Sequence, residues 1–297
     1  AAPASGAGGA VFLPLSGGAA SARHDKENFV ADSMAYAMMV GDVIGAPGLR
    51  ALFAQLPTFA KKSGADLVVA NGENALKGFG IGEEELRTML ACGVSAVTTG
   101  NHVWERKEAA ELLEKSAELL RPANYPPGLP GKGLLHVAGR NFEWVVINLQ
   151  GREDLYPIDC PFQTADELVA KARRDYPKAM ILVDFHAESP EEKEALAWRL
   201  DGKASVVAGT HTHVQTADER ILPKGTGYIT DLGMSGPVDS VIGVKKEICI
   251  KRSLTQIPYK METAEGEAAL SGAVFGIDPQ TRKCVSIERF YLATVTA

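Results

Sequence analysis

Asp66-Leu67-Val68-Val69-Ala70 runs into Asn71-Gly72-Glu73-Asn74: a short apolar stretch that reads as a β-strand is followed at once by a carboxylate and an amide. The same arrangement recurs along the chain. Ala37-Met38-Met39-Val40 leads into Gly41-Asp42, and Val94-Ser95-Ala96-Val97-Thr98 into Gly100-Asn101-His102. Met180-Ile181-Leu182-Val183-Asp184 leads into His186, and Ser205-Val206-Val207-Ala208 into Gly209-Thr210-His211-Thr212-His213. In an α/β sheet, ligands bind in the crevice outside the carboxyl ends of the strands. Five strand ends that bring Asp, Glu, Asn and His to one rim therefore make a candidate site.

Around these strands the pattern alternates strand with helix, which predicts an α/β fold with a largely parallel sheet covered on both faces. Leu49, Leu52, Phe53 and Leu56 fall at helical spacing, and Pro57 is expected to kink or restart that helix. Glu83 to Ala91 reads as a second helix stopped by Gly93, and Glu105 to Ser116 as a third with Ala109, Leu112 and Leu113 inward. Thr164 with Glu167, and Ser189 with Pro190 and Glu192, match the signature of a capped helix start. Tyr125 to Gly131 is a loop, and Trp144 to Leu149 a strand. After Asp231 the reading is strands, for instance over 246–251, 273–277 and 285–290.

Composition narrows the class. A chain of 297 residues with 45% hydrophobic and 23% charged residues is an ordinary globular enzyme, and its net charge of −6 argues against a general nucleic-acid or membrane-surface binder. No apolar run approaches the roughly 20 residues needed to span a bilayer. Cys92, Cys160, Cys249 and Cys284 are far apart, which predicts reduced thiols and a cytoplasmic setting rather than a disulfide or zinc cluster. The Ala-, Gly- and Ser-rich segment 1–33 reads as a flexible extension or an expression remnant, with Met34 a natural start, and 34–297 as one domain.

The ligand types point to cations. His211-Thr212-His213 can aim two imidazoles at neighbouring metal positions, although alternating histidines also occur on solvent-facing strands. Glu73 is the acidic residue of its strand end and the natural bridge between two cations, and Asp42 adds a second negative charge. Asn74 and Asn101 offer neutral amide oxygens. Two divalent ions facing two carboxylates would keep positive charge for a phosphate and a bound water. Asn74 can equally cap a turn, His102 can be a structural partner of its loop, and Asp231 with the Gly233–Pro237 loop can shape a pocket or only a turn. His24 and His136 have no nearby ligand and carry no assignment.

Gly100-Asn101-His102 and Gly209-Thr210-His211-Thr212-His213 resemble motifs of the calcineurin-like metallophosphoesterases. Gly41-Asp42-Val43-Ile44-Gly45, Asn71-Gly72-Glu73-Asn74-Ala75, Gly78-Phe79-Gly80-Ile81 and Asp231-Leu232-Gly233-Met234-Ser235-Gly236-Pro237 are similar to the YmdB-like branch of that superfamily, over about Met38 to Phe290. The resemblance implies layered β-sheets flanked by helices and a site for two divalent metal ions. Asp42, Glu73, Asn74 and His213 would surround the first ion. Glu73, Asn101, His186 and His211 would hold the second, with His102 as proton donor. The wider superfamily has Asp-x-His where Ile44 follows Asp42 here; Asn74 fills the gap, and the oxygen-rich set favours iron or manganese.

The implied activity is phosphodiester hydrolysis by a metal-activated hydroxide, on cyclic nucleotides and above all 2′,3′-cyclic nucleoside monophosphates. The alternatives are a phosphomonoesterase or nucleotidase, and a metal-binding regulatory protein acting through a partner. The expected partner is a small phosphodiester substrate, with no stable nucleic-acid binding, no membrane and a homo-oligomer open.

Overall fold

The computed structural model describes residues 34–139 and 141–293, so the reading of segment 1–33 lies outside the described residues. β1 (Ala35–Val40) and β2 (Asp42–Val43) lead into α1 (Gly45–Ser63), followed by β3 (Leu67–Asn71), α2 (Glu83–Ala91), β4 (Ala96–Thr98) and α3 (Ala109–Lys115). Next come β5 (Leu134–Ala138), β6 (Glu143–Gln150), α4 (Pro161–Asp175), β7 (Met180–His186), α5 (Pro190–Leu200) and β8 (Val206–Thr210). β9 (Arg220–Ile221), β10 (Gly227–Ile229), β11 (Met234–Pro237) and α6 (Lys246–Thr255) precede the long hairpin of β12 (Ala268–Asp278) and β13 (Lys283–Ala293).

Two mixed sheets result. One runs β2-β11-β12-β1-β3-β4 with β13 beside β12, and the other β5-β6-β7-β8-β10-β9. The parallel runs β1-β3-β4 and β6-β7-β8 lie within them. The strand pattern alone predicted a largely parallel sheet, whereas each sheet is mixed: in the first, β12 inserts antiparallel beside β1, pairing Val40 with Gly272, a choice made between opposite ends of the chain. The layered sheets implied by the family resemblance are present.

Alternation along the strands sets the layers. Met38, Val40, Val68 and Ala70 pack with Leu52 and Leu56 of α1 and with Leu86 and Met89 of α2. Their neighbours Ala37, Met39, Leu67 and Val69 face the second sheet, where Val146, Met180, Leu182 and Val206 meet them. On the far side of that sheet, Ile181, Val183 and Phe185 lie under Val169 of α4 and Leu196 of α5. The order is helix, sheet, sheet, helix. We read the described residues as one domain because one inter-sheet core joins both halves.

Several local expectations change. α1 runs through Pro57, and Phe53 stands 73% exposed although Leu52 beside it is fully buried. α3 begins at Ala109, later than Glu105, with Ala109, Leu112 and Leu113 buried. α4 starts at Pro161, whose fixed φ suits a first helical position, so Thr164 lies inside it. Ser189 does cap α5, accepting from Glu192 N at 3.2 Å. Residues 246–251 belong to α6 and not to a strand, with the local hydrogen bonds of a helix. No helix among the described residues is long and apolar enough to cross a membrane.

The register of α1 is testable. Leu52→Ala should cost about 2–5 kcal/mol of stability and Phe53→Ala close to nothing, measured by urea unfolding. Equal losses would place the helix in a different rotation.

Candidate metal centre

The inter-sheet core turns polar where the parallel strands end. Leu67 and Val69 face the second sheet from β3, and Asn71 is the next residue of that parity. By the same count Thr98 ends the face of β4, Asp184 and His186 that of β7, and Thr210 that of β8. In-register pairing sets Asn71 beside Thr98 and His186 beside Thr210. Asp184 accepts from Thr98 Oγ1, from Thr210 Oγ1 at 2.8 Å and from Asn71 Nδ2 at 3.4 Å, so its carboxylate ties both sheets together. The His186 ring is fixed by the same group: its Nδ1 lies 2.9 Å from Thr210 Oγ1 and 3.3 Å from Asn71 Nδ2. Gly100 must be glycine, since a Cβ there would come within 2.0 Å of the His186 ring.

Above this plug the sequence-predicted residues converge in two groups. His186 Nε2 lies 3.0 Å from Glu73 Oε1, 3.1 Å from Asn101 Oδ1 and 3.0 Å from His211 Nδ1. Donor atoms of Glu73, His186 and His211 all lie within 4.8 Å of one another. Asn74 Nδ2 lies 3.3 Å from both Glu73 Oε1 and His213 Nε2, and His213 Nε2 is 3.9 Å from Asp42 Oδ1. Glu73 Oε1 is common to the two groups. Its Oε2 accepts from His102 N at 3.0 Å, while Asp42 Oδ2 accepts from His211 N at 3.1 Å. His102 lines the cleft, with Nδ1 3.5 Å from Glu105 Oε1 and its ring edge-to-face with Phe79.

The charges are mutually adjusted. Burial pushes Asp42 up to about 6, with His213 and His186 offsetting part of the effect. Burial would also raise Glu73, yet the neighbouring His186 and the His102 N–H hold it below the usual carboxylate range. His186 is held above the imidazole range, the Glu73 carboxylate outweighing its own burial. His211 drops to about 3, through burial and then the His186 charge. Among the described residues two oxygens of this cluster lack a donor: Asp42 Oδ1 and Asn74 Oδ1 are buried with no hydrogen-bond partner. Leaving such atoms unsatisfied is expensive, and a carboxylate, an amide and imidazoles around them form a donor set that fits divalent cations.

The loop that carries His211 and His213 is strained and strapped down. Both histidines have positive φ, at 105° and 66°, a region non-glycine residues seldom occupy. Asp231 Oδ2 accepts from Thr212 N at 3.1 Å and Thr212 Oγ1 at 2.8 Å, and Asp231 Oδ1 from Gly233 N at 2.8 Å. Its charge is matched by Lys193, at 2.8 Å, both side chains being essentially inaccessible. The turn around Asp231 thus holds Thr212, the residue between the two histidines, in place. Sequence reading missed Lys193, Asn71, Asp184 and Glu188, whose Oε2 lies 2.9 Å from His211 Nε2. For Asp184 a signal existed, since it stands two residues before His186 on one strand face.

Known proteins share this framework. A family model described as YmdB-like protein matches residues 38–290. A 2′,3′-cyclic-nucleotide 2′-phosphodiesterase of Bacillus subtilis is 48% identical over 255 residues, covering 86% of this chain and 96% of that protein. The crystal structure of a phosphatase from Mycoplasma pneumoniae superposes with a TM-score of 0.82 at 33% identity, over 88% of this chain and 94% of that one. A hypothetical protein from Thermus thermophilus gives 0.81 at 40% identity, over 87% and 99%. The layered metallophosphoesterase-type fold is common ground.

Removing the strap should be costly. Asp231→Ala leaves Lys193 buried without a counter-charge, and stability should fall by about 3–5 kcal/mol in urea unfolding. A loss under about 1 kcal/mol would show that the pair does not hold the loop.

Proposed function

This chain belongs to the YmdB-like protein family, and from that premise we propose that it is a phosphodiesterase acting on cyclic nucleotides, in the first place 2′,3′-cyclic nucleoside monophosphates. The observation that carries the reading is the meeting of two donor groups at Glu73 Oε1, beside buried oxygens of Asp42 and Asn74 that lack donors. The 48% identity to a Bacillus subtilis protein named for that substrate supports the choice of ligand. Asp42, Glu73 and His213, joined by Asn74 once its amide turns Oδ1 in place of Nδ2 toward them, would hold one divalent cation, and Glu73, Asn101, His186 and His211 a second, iron or manganese by the excess of oxygen donors. When bound, the cations supply Lewis acidity toward the phosphate and a water made acidic near neutral pH.

The protein's own groups do the rest. Glu73 spans both positions and is kept rigid by the His102 N–H. Asp184, Asn71 and Thr210 fix the His186 ring, so the donors are set before substrate arrives. His102, at the cleft wall with Glu105 near its Nδ1, protonates the departing ribose oxygen. In a cyclic phosphodiester that oxygen stays tethered to the sugar, and prompt protonation limits re-closure. Ile44, where the wider superfamily has histidine, is buried against the same cleft and donates nothing.

A panel of 2′,3′-cyclic, 3′,5′-cyclic and monoester nucleotides tests the substrate class; preferential turnover of monoesters would replace this reading by a nucleotidase. On the same panel His102→Ala should keep its metal and lose roughly 10²–10⁴-fold in rate. With bis-p-nitrophenyl phosphate, whose leaving group hardly needs a proton, the loss should be much smaller. Equal losses on both, or an emptied site, would remove His102 from that role.

A further inference from the structure

Residues 238–267 leave the first sheet after β11 and return at β12, and the helix they carry, α6, buries none of its residues. The excursion therefore adds little to the core. Its contribution is a wall. Val244 bridges antiparallel to Thr263, Lys245 N donates to Glu262 O at 3.0 Å and Ala264 N to Gly243 O at 2.9 Å. This ribbon brings Ile242, Val244 and Met261 to a cleft of about 290 Å³ whose lining includes Glu73, His102 and His211. Phe79 lines the same cleft, its ring 5.1 Å from that of His102.

Ile242 is held in a conformation that disfavours it. Its φ is 48°, in the left-handed region where a β-branched side chain is crowded. Four hydrogen bonds keep it there. Val241 and Val244 exchange backbone bonds at 2.9 and 3.0 Å, Gly243 N donates to Ser240 Oγ at 3.0 Å, and Ile242 O accepts from His213 Nδ1 at 2.9 Å. Ile242 is 44% exposed, so the strain does not serve the core. Strain maintained beside a reactive site points to a ligand contact.

We infer that this wall seats the nucleobase of the substrate, an inference that rests on the cyclic-nucleotide reading above. With the phosphate at the carboxylate and imidazole cluster, the next bulky group of a nucleotide falls within the same cleft, whose size suits one small ligand. The faces of a purine or pyrimidine are apolar, and Ile242, Val244, Met261 and Phe79 offer carbon to them. Contact with faces instead of hydrogen-bonding edges accepts every base. The seat should therefore bind adenine and uracil alike.

The experiment compares kcat/KM of the metal-loaded full chain on 2′,3′-cyclic AMP and UMP with that on methyl riboside 2,3-cyclic phosphate, which lacks only the base. Wild type should prefer both nucleotides to the riboside, and Ile242→Gly and Met261→Ala should each cut that preference by roughly 5-fold or more. Glycine suits the left-handed backbone at 242, which protects the fold in that variant. Equal kcat/KM for nucleotide and riboside in wild type, or variants that keep the full preference, would overturn the seat and leave the phosphodiesterase reading standing. Failure to hydrolyse any of them would instead overturn that reading, and calorimetry with adenosine 3′-monophosphate against inorganic phosphate then decides the seat. Tighter nucleotide binding, weakened in Ile242→Gly, upholds it; equal affinities overturn it.

Discussion

Glu73 is a carboxylate with no exposure to water, and its negative charge has to be met from inside the protein. Isolated buried charges are so costly that folds neutralise, pair or ligate them. The parallel strands make this possible, because β1, β3 and β4 in one sheet and β7 and β8 in the other bring their carboxyl ends to a common edge. From that edge His186 and His102 reach Glu73 from two other segments of the chain, and the adjacent Asn74 adds its amide. The Glu73 carboxylate in turn lifts the His186 imidazole above its usual range against the effect of burial.

Stability is spent at this edge and recovered beneath it. His211, His213 and Ile242 all occupy left-handed backbone. The Lys193–Asp231 pair, sealed from water, anchors the loop between the two histidines, and the Asp184 hydrogen bonds lock the sheets together directly under the site. The same carboxylates that would be awkward in an apolar core are tolerable here because every one but Asp42 Oδ1 has donors. Local rules broken at a site and compensated around it are the usual mark of a functional surface.

Much of this was legible in the chain. Apolar runs of four to five residues ending in Gly41-Asp42, Gly72-Glu73 and Gly209 marked β1, β3 and β8, and the ligand types behind them marked the site. Period-two alternation explains why: buried strands are written in consecutive residues, and so is the polar step at their ends. The stacking of two sheets was not legible from alternation, since β12 finds β1 only in three dimensions. Ile248, Cys249 and Ile250 read as a strand because short apolar runs fit either period; they lie within α6. Glu188 and Lys193 stayed hidden for a related reason. They act on residues far along the chain, His211 and Asp231, and nothing in their own surroundings announces it.

In the proposed function Glu73 joins two donor groups into one site for two cations. Elemental analysis of protein purified without added metal, set beside the same measurement on Glu73→Gln, tests it most directly. Two divalent ions per chain in active wild type, with both weakened by the substitution, is the predicted result. One tightly held ion in fully active wild type, or a Glu73→Gln variant that loses one ion and keeps the other at wild-type affinity, would contradict it.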